Sequence, residues 1–441
     1  MKKAYSSTPQ CVLVTGARQI GKTHSIRKFG REAFKHFVEV NFVETPGAIQ
    51  IFHNAQSVEE IISRLSAFTS QPLVENETLV FFDEVQKCPE CVTQMKFLVE
   101  DGRFRYAMSG SLLGVELKGL RSAPVGYIDV KEMYPLDFEE FILALGVNQR
   151  IVDTLKACFD QRKAVDPVIH DRLMSLFYLY LVVGGMPAAV SRYVKTNNIQ
   201  EVVAAQQAII NLYRLDISQY DPQSKLYLDE IFDLIPSELD AKNKRFILKN
   251  LNENFKFSRY KDSFLWMKNA GIALPTYNVE EPRVPLRLNE QRNLFKLFSS
   301  DVGLLCCQYA NGIQLKMLSG EIDINFGAIF ENVVAQELTA HGFSLYYFNS
   351  KKLGELDFVV EHGGVVLPIE VKSGKDYAKH KALSNVMNTP EYGIPEAVVL
   401  CNDNVHTAGA VVYLPVYMVM FLVAREEVPA MVFKPDLSGL E

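Results

Sequence analysis

The sequence predicts a multidomain α/β protein, and three observations lead there. The chain has 441 residues, too many for one ordinary domain. Through the first third, apolar runs of strand length alternate with helically spaced segments, the pattern of a parallel sheet covered on both faces. The middle then reads as helical, and strands return in the last part. Hydrophobic residues are 48% and charged residues 22%, which excludes a mainly disordered chain.

Each element follows from local pattern. Val12–Thr15 predicts a short strand ending at a glycine, with a helix from Lys22 to about Phe29. Phe37–Asn41, Leu79–Phe82 and Phe104–Ser109 predict further strands, and Val58–Phe68 a helix. Pro135 precedes a helical stretch at Phe138–Leu145. Pro167–Val182 and Ile199–Tyr213 have helical spacing, punctuated by Gly184, Gly185 and Pro187. A helix ends near Leu226–Pro236; Phe246–Leu251, Ser258–Asn269 and Ile272–Val279 then read helix, helix, strand. Gly271 sits where a helix C-terminus takes a left-handed residue. Phe326–His341 predicts a helix closed by Gly342. Strands follow at Ser344–Phe348, Leu356–Val360 and Val365–Lys372, the last two joined by His362-Gly363-Gly364 as a hairpin.

Net charge is −6, so no global attraction to nucleic acid or anionic membrane follows. Met1–Gln10 is short, polar and basic, unlike a secretory signal, and the seven cysteines are scattered and odd in number. A reducing, cytoplasmic compartment is expected. Cys88 and Cys91 form a single CxxC, short of the four ligands a structural zinc needs. Ala408–Ala424 is apolar, but Pro415 interrupts it; a buried strand, a proline turn and a short core helix are expected there rather than a membrane span.

The chemistry begins at Gly16-Ala17-Arg18-Gln19-Ile20-Gly21-Lys22-Thr23, a full GxxxxGK[ST] between a strand and a helix. Its amides would cradle phosphate at a helix N-terminus, with His24 just beyond among the nucleotide-binding residues. Lys22 would hold the β- and γ-phosphates, and Thr23 would ligate Mg²⁺. Leu79–Phe82 leads into Asp83 and Glu84: Asp83 is expected to hold Mg²⁺ and Glu84 to polarise the attacking water. Ser109, at the end of the next strand, would sense the γ-phosphate; Arg121 would supply a finger to a neighbouring subunit. ATP and Mg²⁺ are the expected cofactors. A kinase reading needs an acceptor pocket, and the acidic pair suits water activation better.

The segments V-T-G-A-R-Q-I-G-K-T, F-F-D-E-V-Q, S-G-S-L-L-G and Y-P-L-D-F-E-E-F closely resemble those of prokaryotic AAA ATPases of the archaeal-ATPase type. The resemblance continues through Tyr180–Pro187, Tyr213-Arg-Leu-Asp216-Ile and Asp301-Val-Gly-Leu304, over nearly the whole chain. Gln86 looks typical of that family, and Cys88 and Cys91 do not. The resemblance implies an ATPase, then a conserved uncharacterised domain containing a winged helix, then a restriction-endonuclease-like fold. The expected segments are an AAA-type ATPase domain at 1–145, a helical linker or lid at 146–236, a winged-helix-like domain at 237–320 and a nuclease-like α/β domain at 321–441.

In the last segment, Glu331, Asp357 and Glu370-Val371-Lys372 follow the order of the PD-(D/E)xK metal-nuclease pattern, although Leu356 stands where the literal proline would be. Glu370 and Lys372 are two apart on a strand and share a face. Asp357 and Glu370 would bind Mg²⁺ through oxygen, and Lys372 would orient water and stabilise developing charge. Glu331 would complete the metal shell or orient Lys372, and Glu355 is a second candidate on the same face as Asp357. Live cleavage and a dead, binding-only fold both remain open.

Between Asp240 and Lys296 there are 12 Lys/Arg against 6 Asp/Glu, and Arg259, Lys261 and Lys268 fall on the candidate recognition helix. DNA contact is expected from them, whereas Phe264, Leu265 and Trp266 are expected in the core. The reading is an ATP-hydrolysing protein whose nucleotide state controls a module that binds DNA and, if the nuclease-like site is live, cuts it. The alternative is a nucleotide-gated binding protein with an inactive nuclease fold. ATP/ADP, DNA and a second copy of the chain are the expected partners, and no membrane is.

Overall fold

The computed structural model describes residues 10–110, 126–220, 225–241, 244–247, 257–309, 313–318, 326–424 and 434. The chain divides into two compact units. One comprises Met1–Leu145, Leu179–Pro275 and Leu297–Ile324; the other Gly146–Tyr178, Thr276–Lys296 and Asn325–Glu441. The units therefore do not follow the four consecutive segments read from the sequence.

The first unit carries a five-stranded sheet of β1 (Cys11–Thr15), β2 (His36–Asn41), β3 (Thr78–Asp83), β4 (Arg105–Ser109) and β5 (Ile128–Glu132). Its order is β2-β3-β4-β1-β5, and every pairing is parallel. β3 is buried along its whole length, as an apolar run between two layers must be. One layer packs on Phe42, Phe52, Phe82 and Tyr106, the other on Ile26, Leu79 and Phe81. The helix Lys22–Ala33 runs one turn beyond its expected end, and Val58–Phe68 forms as expected, capped by Ser57. The helix Pro89–Asp101 escapes the periodicity argument because its apolar stripe is weak. It places Cys88 and Cys91 in the apolar core as free thiols, where burial pushes Cys88 up to about 11 and Cys91 well above the usual range.

The helical part of this unit includes Pro187–Thr196, Ile199–Tyr220, Lys225–Asp240 and Phe257–Asn269. Pro236 lies inside the third of these. Gly271 is left-handed (φ 69°), as the helix end requires. Phe264 and Trp266 are buried as expected, but Leu265 is half exposed, because it projects from the opposite side of its helix.

The second sheet has eight strands, ordered β12-β13-β11-β10-β9-β8-β6-β7. They are β6 (Ala273–Val279), β7 (Glu290–Ser299), β8 (Tyr346–Ser350), β9 (Gly354–His362), β10 (Val365–Val371), β11 (Ala397–Cys401), β12 (His406–Ala408) and β13 (Val411–Pro415). β8, β9 and β10 are antiparallel neighbours, whereas β10–β11, β11–β13 and β6–β8 run parallel. β8 starts two residues later than its apolar run suggests, with a register irregularity against β9. The segment 146–178 belongs with this sheet rather than with a central linker. His170 is within hydrogen-bond distance of the Tyr417 hydroxyl (3.1 Å) and the Asn402 carbonyl (3.2 Å), and Phe177 packs edge-on against Phe330. Such pairings join residues far apart in sequence, where local pattern says nothing.

Ala408–Ala424 contains β13 and the buried 3₁₀ turn Val416–Phe421. Among the described residues no helix is long and apolar enough to cross a membrane.

Candidate active site at the strand ends of the first sheet

The loop Gly16–Gly21 links the end of β1 to the helix Lys22–Ala33. Gly16 has φ 133°, and a Cβ there would lie 2.3 Å from the Met133 carbonyl oxygen, so only glycine fits. Gln19 and Gly21 are also left-handed, at φ 65° and 90°. Ala17 and Ile20 are buried, and His24 is exposed. Lys22 is buried and donates to the carbonyls of Gly16 (3.0 Å) and Ala17 (2.6 Å). Burial lowers its amine to about 8, against the raising influence of Glu84 and Asp83.

Asp83 ends β3 and gathers the ends of three other elements. Thr23 donates its hydroxyl to both Asp83 oxygens (3.0 and 3.2 Å), Ser109 at the end of β4 donates to Oδ1, and the Asn41 amide at the end of β2 donates to Oδ2 (3.0 Å). Sequence reasoning missed Asn41; the signal was a polar residue closing an apolar strand next to the acidic one. Glu84 is left-handed at φ 58°, uncommon for a residue with a Cβ. It accepts a hydrogen bond from the buried Gln86 amide. The sheet thus brings Lys22, Thr23, Asp83, Glu84 and Ser109 together at one edge. The hard oxygens of Thr23 and Asp83 beside a lysine fit Mg²⁺ with phosphate. Arg121 lies outside the described residues.

Segments distant in sequence from the loop are tied to it or to one another. Tyr213 donates its hydroxyl to the Arg18 carbonyl (3.4 Å), and the Arg18 guanidinium pairs with buried Asp216 at 2.6 Å. A Cβ on Gly271 would lie 2.9 Å from the Ala17 nitrogen. Asp301 accepts the Gly185 N–H (2.6 Å) and caps the helix Val302–Gln308 through the Leu304 N–H (2.9 Å). Burial raises its carboxyl to about 6 against those backbone donors. Tyr180 and Gly185 each bond to Leu136.

In the other unit, Lys372 donates to Glu370 (2.9 Å), and Asp357 accepts the Val371 N–H (2.9 Å). Burial and then Asp357 raise Glu370 to about 8, against the pull of Lys372. Lys296, which the sequence counted in a basic surface, is wholly buried. Its ammonium lies 2.9 Å from Glu355 and 3.4 Å from Glu331. Burial opposes its charge, but Glu331, Glu355 and Asp357 outweigh burial and hold its amine above the usual range. Among the described residues no group of three or more His, Cys, Asp or Glu is arranged to hold a metal ion. Within the acidic group the Lys296 ammonium pairs with both Glu331 and Glu355.

Of the cations counted at 240–296, the buried Lys296 takes no part in a basic surface. Besides Lys296, Arg283 pairs with Glu281 and Arg292 with Glu290. Lys268 is exposed, and the side chains of Arg259 and Lys261 lie outside the described residues.

Residues 8–142 match the family model described as AAA domain. This part of the chain is an AAA-type domain with a P-loop. Residues 174–316 match a domain of unknown function, DUF8612, and residues 326–418 another, DUF4143. Among solved structures, a Walker-type ATPase of Pyrococcus abyssi is similar at 13% identity, covering 70% of this chain and 93% of that one, with a TM-score of 0.40. The Aeropyrum pernix Orc1 protein, solved in complex with DNA, is similar at 12% identity over 71% and 87% of the two chains, with a TM-score of 0.29. The Thermotoga maritima RuvB Holliday junction branch migration motor is similar at 12% identity over 63% and 83%, with a TM-score of 0.26. No curated protein matches the chain.

Proposed function

We propose that this protein binds ATP with Mg²⁺ and hydrolyses it at the edge formed by β1, β3 and β4. The observation that carries the reading is the meeting of Thr23 and Ser109 on Asp83 beside a buried Lys22. Lys22 exchanges its two loop carbonyls for phosphate oxygens. Thr23 and Asp83 would hold Mg²⁺, which would supply charge neutralisation at the phosphates. Glu84, aimed by Gln86, orients the attacking water, and Ser109 and Asn41 keep the Asp83 carboxylate in place.

The nucleotide state passes to the helical part of the same unit through Arg18. Its carbonyl and guanidinium are held by Tyr213 and Asp216 on the helix Ile199–Tyr220. A loop that reshapes around phosphate pulls on that helix. The proposed output is control of a nucleic-acid contact by the region around Lys268. What supports it is an exposed lysine on a helix leading into two strands, the order of a winged helix. For the C-terminal unit, the antiparallel β9–β10 pair with Asp357, Glu370 and Lys372 supports a nuclease-like fold, and Lys296 among the carboxylates favours the non-cleaving reading over Mg²⁺-dependent cleavage.

The test is an ATPase assay with and without DNA, using Lys22→Ala as control. Turnover lost in the variant, and DNA-responsive in the wild type, is expected. Hydrolysis unaffected by Lys22→Ala would sink the assignment.

A further inference from the structure

Lys296 is an unusual residue for its place. It lies in Leu294-Phe295-Lys296-Leu297-Phe298 on β7, and it is wholly buried. A buried charge persists only where it is paired and hydrogen-bonded. Its ammonium meets Glu355 at 2.9 Å and Glu331 at 3.4 Å, and lies 5.1 Å from the centre of the Tyr347 ring. The second Glu355 oxygen accepts the Asn349 amide. Alongside, Asp357 accepts the Val371 N–H and Glu370 accepts the Lys372 ammonium. These four carboxylates thus face protein donors, two of them lysine ammoniums.

We infer that Lys296 is the resident cation of this carboxylate site, its ammonium supplying the positive charge that a divalent ion would otherwise bring to Glu331 and Glu355, and that the site is therefore metal-free. A divalent ion entering beside Glu331 and Glu355 would meet the wholly buried ammonium of Lys296 as a like charge. It would also have to displace donors from oxygens already engaged. Mg²⁺ demands near-octahedral oxygen coordination, which an acidic group sharing its oxygens with two lysines does not offer. The inference rests on the non-cleaving reading but goes further, because a non-cleaving site can still hold metal.

The test is Mn²⁺ binding by the full-length, nucleotide-free protein carrying Asp83→Asn, which silences the phosphate site. Bound Mn²⁺ is counted by electron paramagnetic resonance. No bound Mn²⁺ is expected up to millimolar metal. Adding Lys296→Met should create one site, tighter by on the order of a hundredfold, which Asp357→Asn then removes. One Mn²⁺ bound before Lys296 is touched, and lost with Asp357→Asn, would overturn the inference. A folded Lys296→Met protein that gains no site would overturn it too. If Lys296→Met does not fold, the Asp83→Asn titration still decides. A separate Mg²⁺-dependent nicking assay on supercoiled DNA tests the non-cleaving reading, so the two failures are distinguishable.

Discussion

The Arg18–Asp216 pair predicts an asymmetry that a surface ion pair would not show. Its N–O distance is 2.6 Å, with Asp216 5% exposed and Arg18 39% exposed. Replacing Arg18 by Met takes the guanidinium from a carboxylate that stays buried. Breaking a fully buried pair in this way costs about 3–5 kcal/mol, and the solvent reaching Arg18 reduces the expectation to about 2 kcal/mol. Replacing Asp216 by Asn leaves a guanidinium that turns to water, at about 1 kcal/mol or less. The double variant should resemble Asp216→Asn alone, a coupling of about 2 kcal/mol. Calorimetry reads this as a fall of roughly 4 °C in the ATP-sensitive unfolding transition for Arg18→Met, against about half that for Asp216→Asn. The two arms also differ in function. Either single change should weaken the response of turnover to DNA while leaving ATP affinity within a few-fold. Additive single variants, or a larger loss for Asp216→Asn than for Arg18→Met, would refute the reasoning.

The remaining predictions concern the phosphate site. Lys22 must be charged to hold phosphate, yet its amine is lowered to about 8, so ATP binding should take up protons near that pH and weaken as pH rises through it. Calorimetric titrations from pH 7 to 9 in buffers of different ionisation enthalpy measure this; Lys22→Arg should abolish the dependence. Glu84→Gln should lower kcat by roughly a hundredfold or more with ATP affinity kept. Gln86→Ala should lower kcat by about tenfold for the same reason, since it aims Glu84 rather than touching nucleotide. A change in ATP affinity without a change in kcat would argue against that positioning role.

Local sequence sufficed wherever the determinant was local. The glycine loop, the apolar strands ending in Asp83 and Ser109 and the helix Val58–Phe68 rest on near-neighbour sterics and burial, and they stand where the pattern put them. Asn41, Gln86 and the ties of Arg18 to Tyr213 and Asp216 were not readable from spacing. They arise when parallel strands align their ends and distant helices close on the loop. The same holds for Lys296. Its letter alone suggested a basic surface, and only tertiary packing sets it beside Glu331 on the helix Phe326–Ala340 and Glu355 on β9. The sequence by itself determined where the proposed phosphate loop lies, because backbone conformation and charge there lie within eight consecutive residues, Gly16–Thr23. Tertiary structure alone decided which charges meet elsewhere, because a buried ion takes its meaning from the counter-charge that long-range packing brings to it.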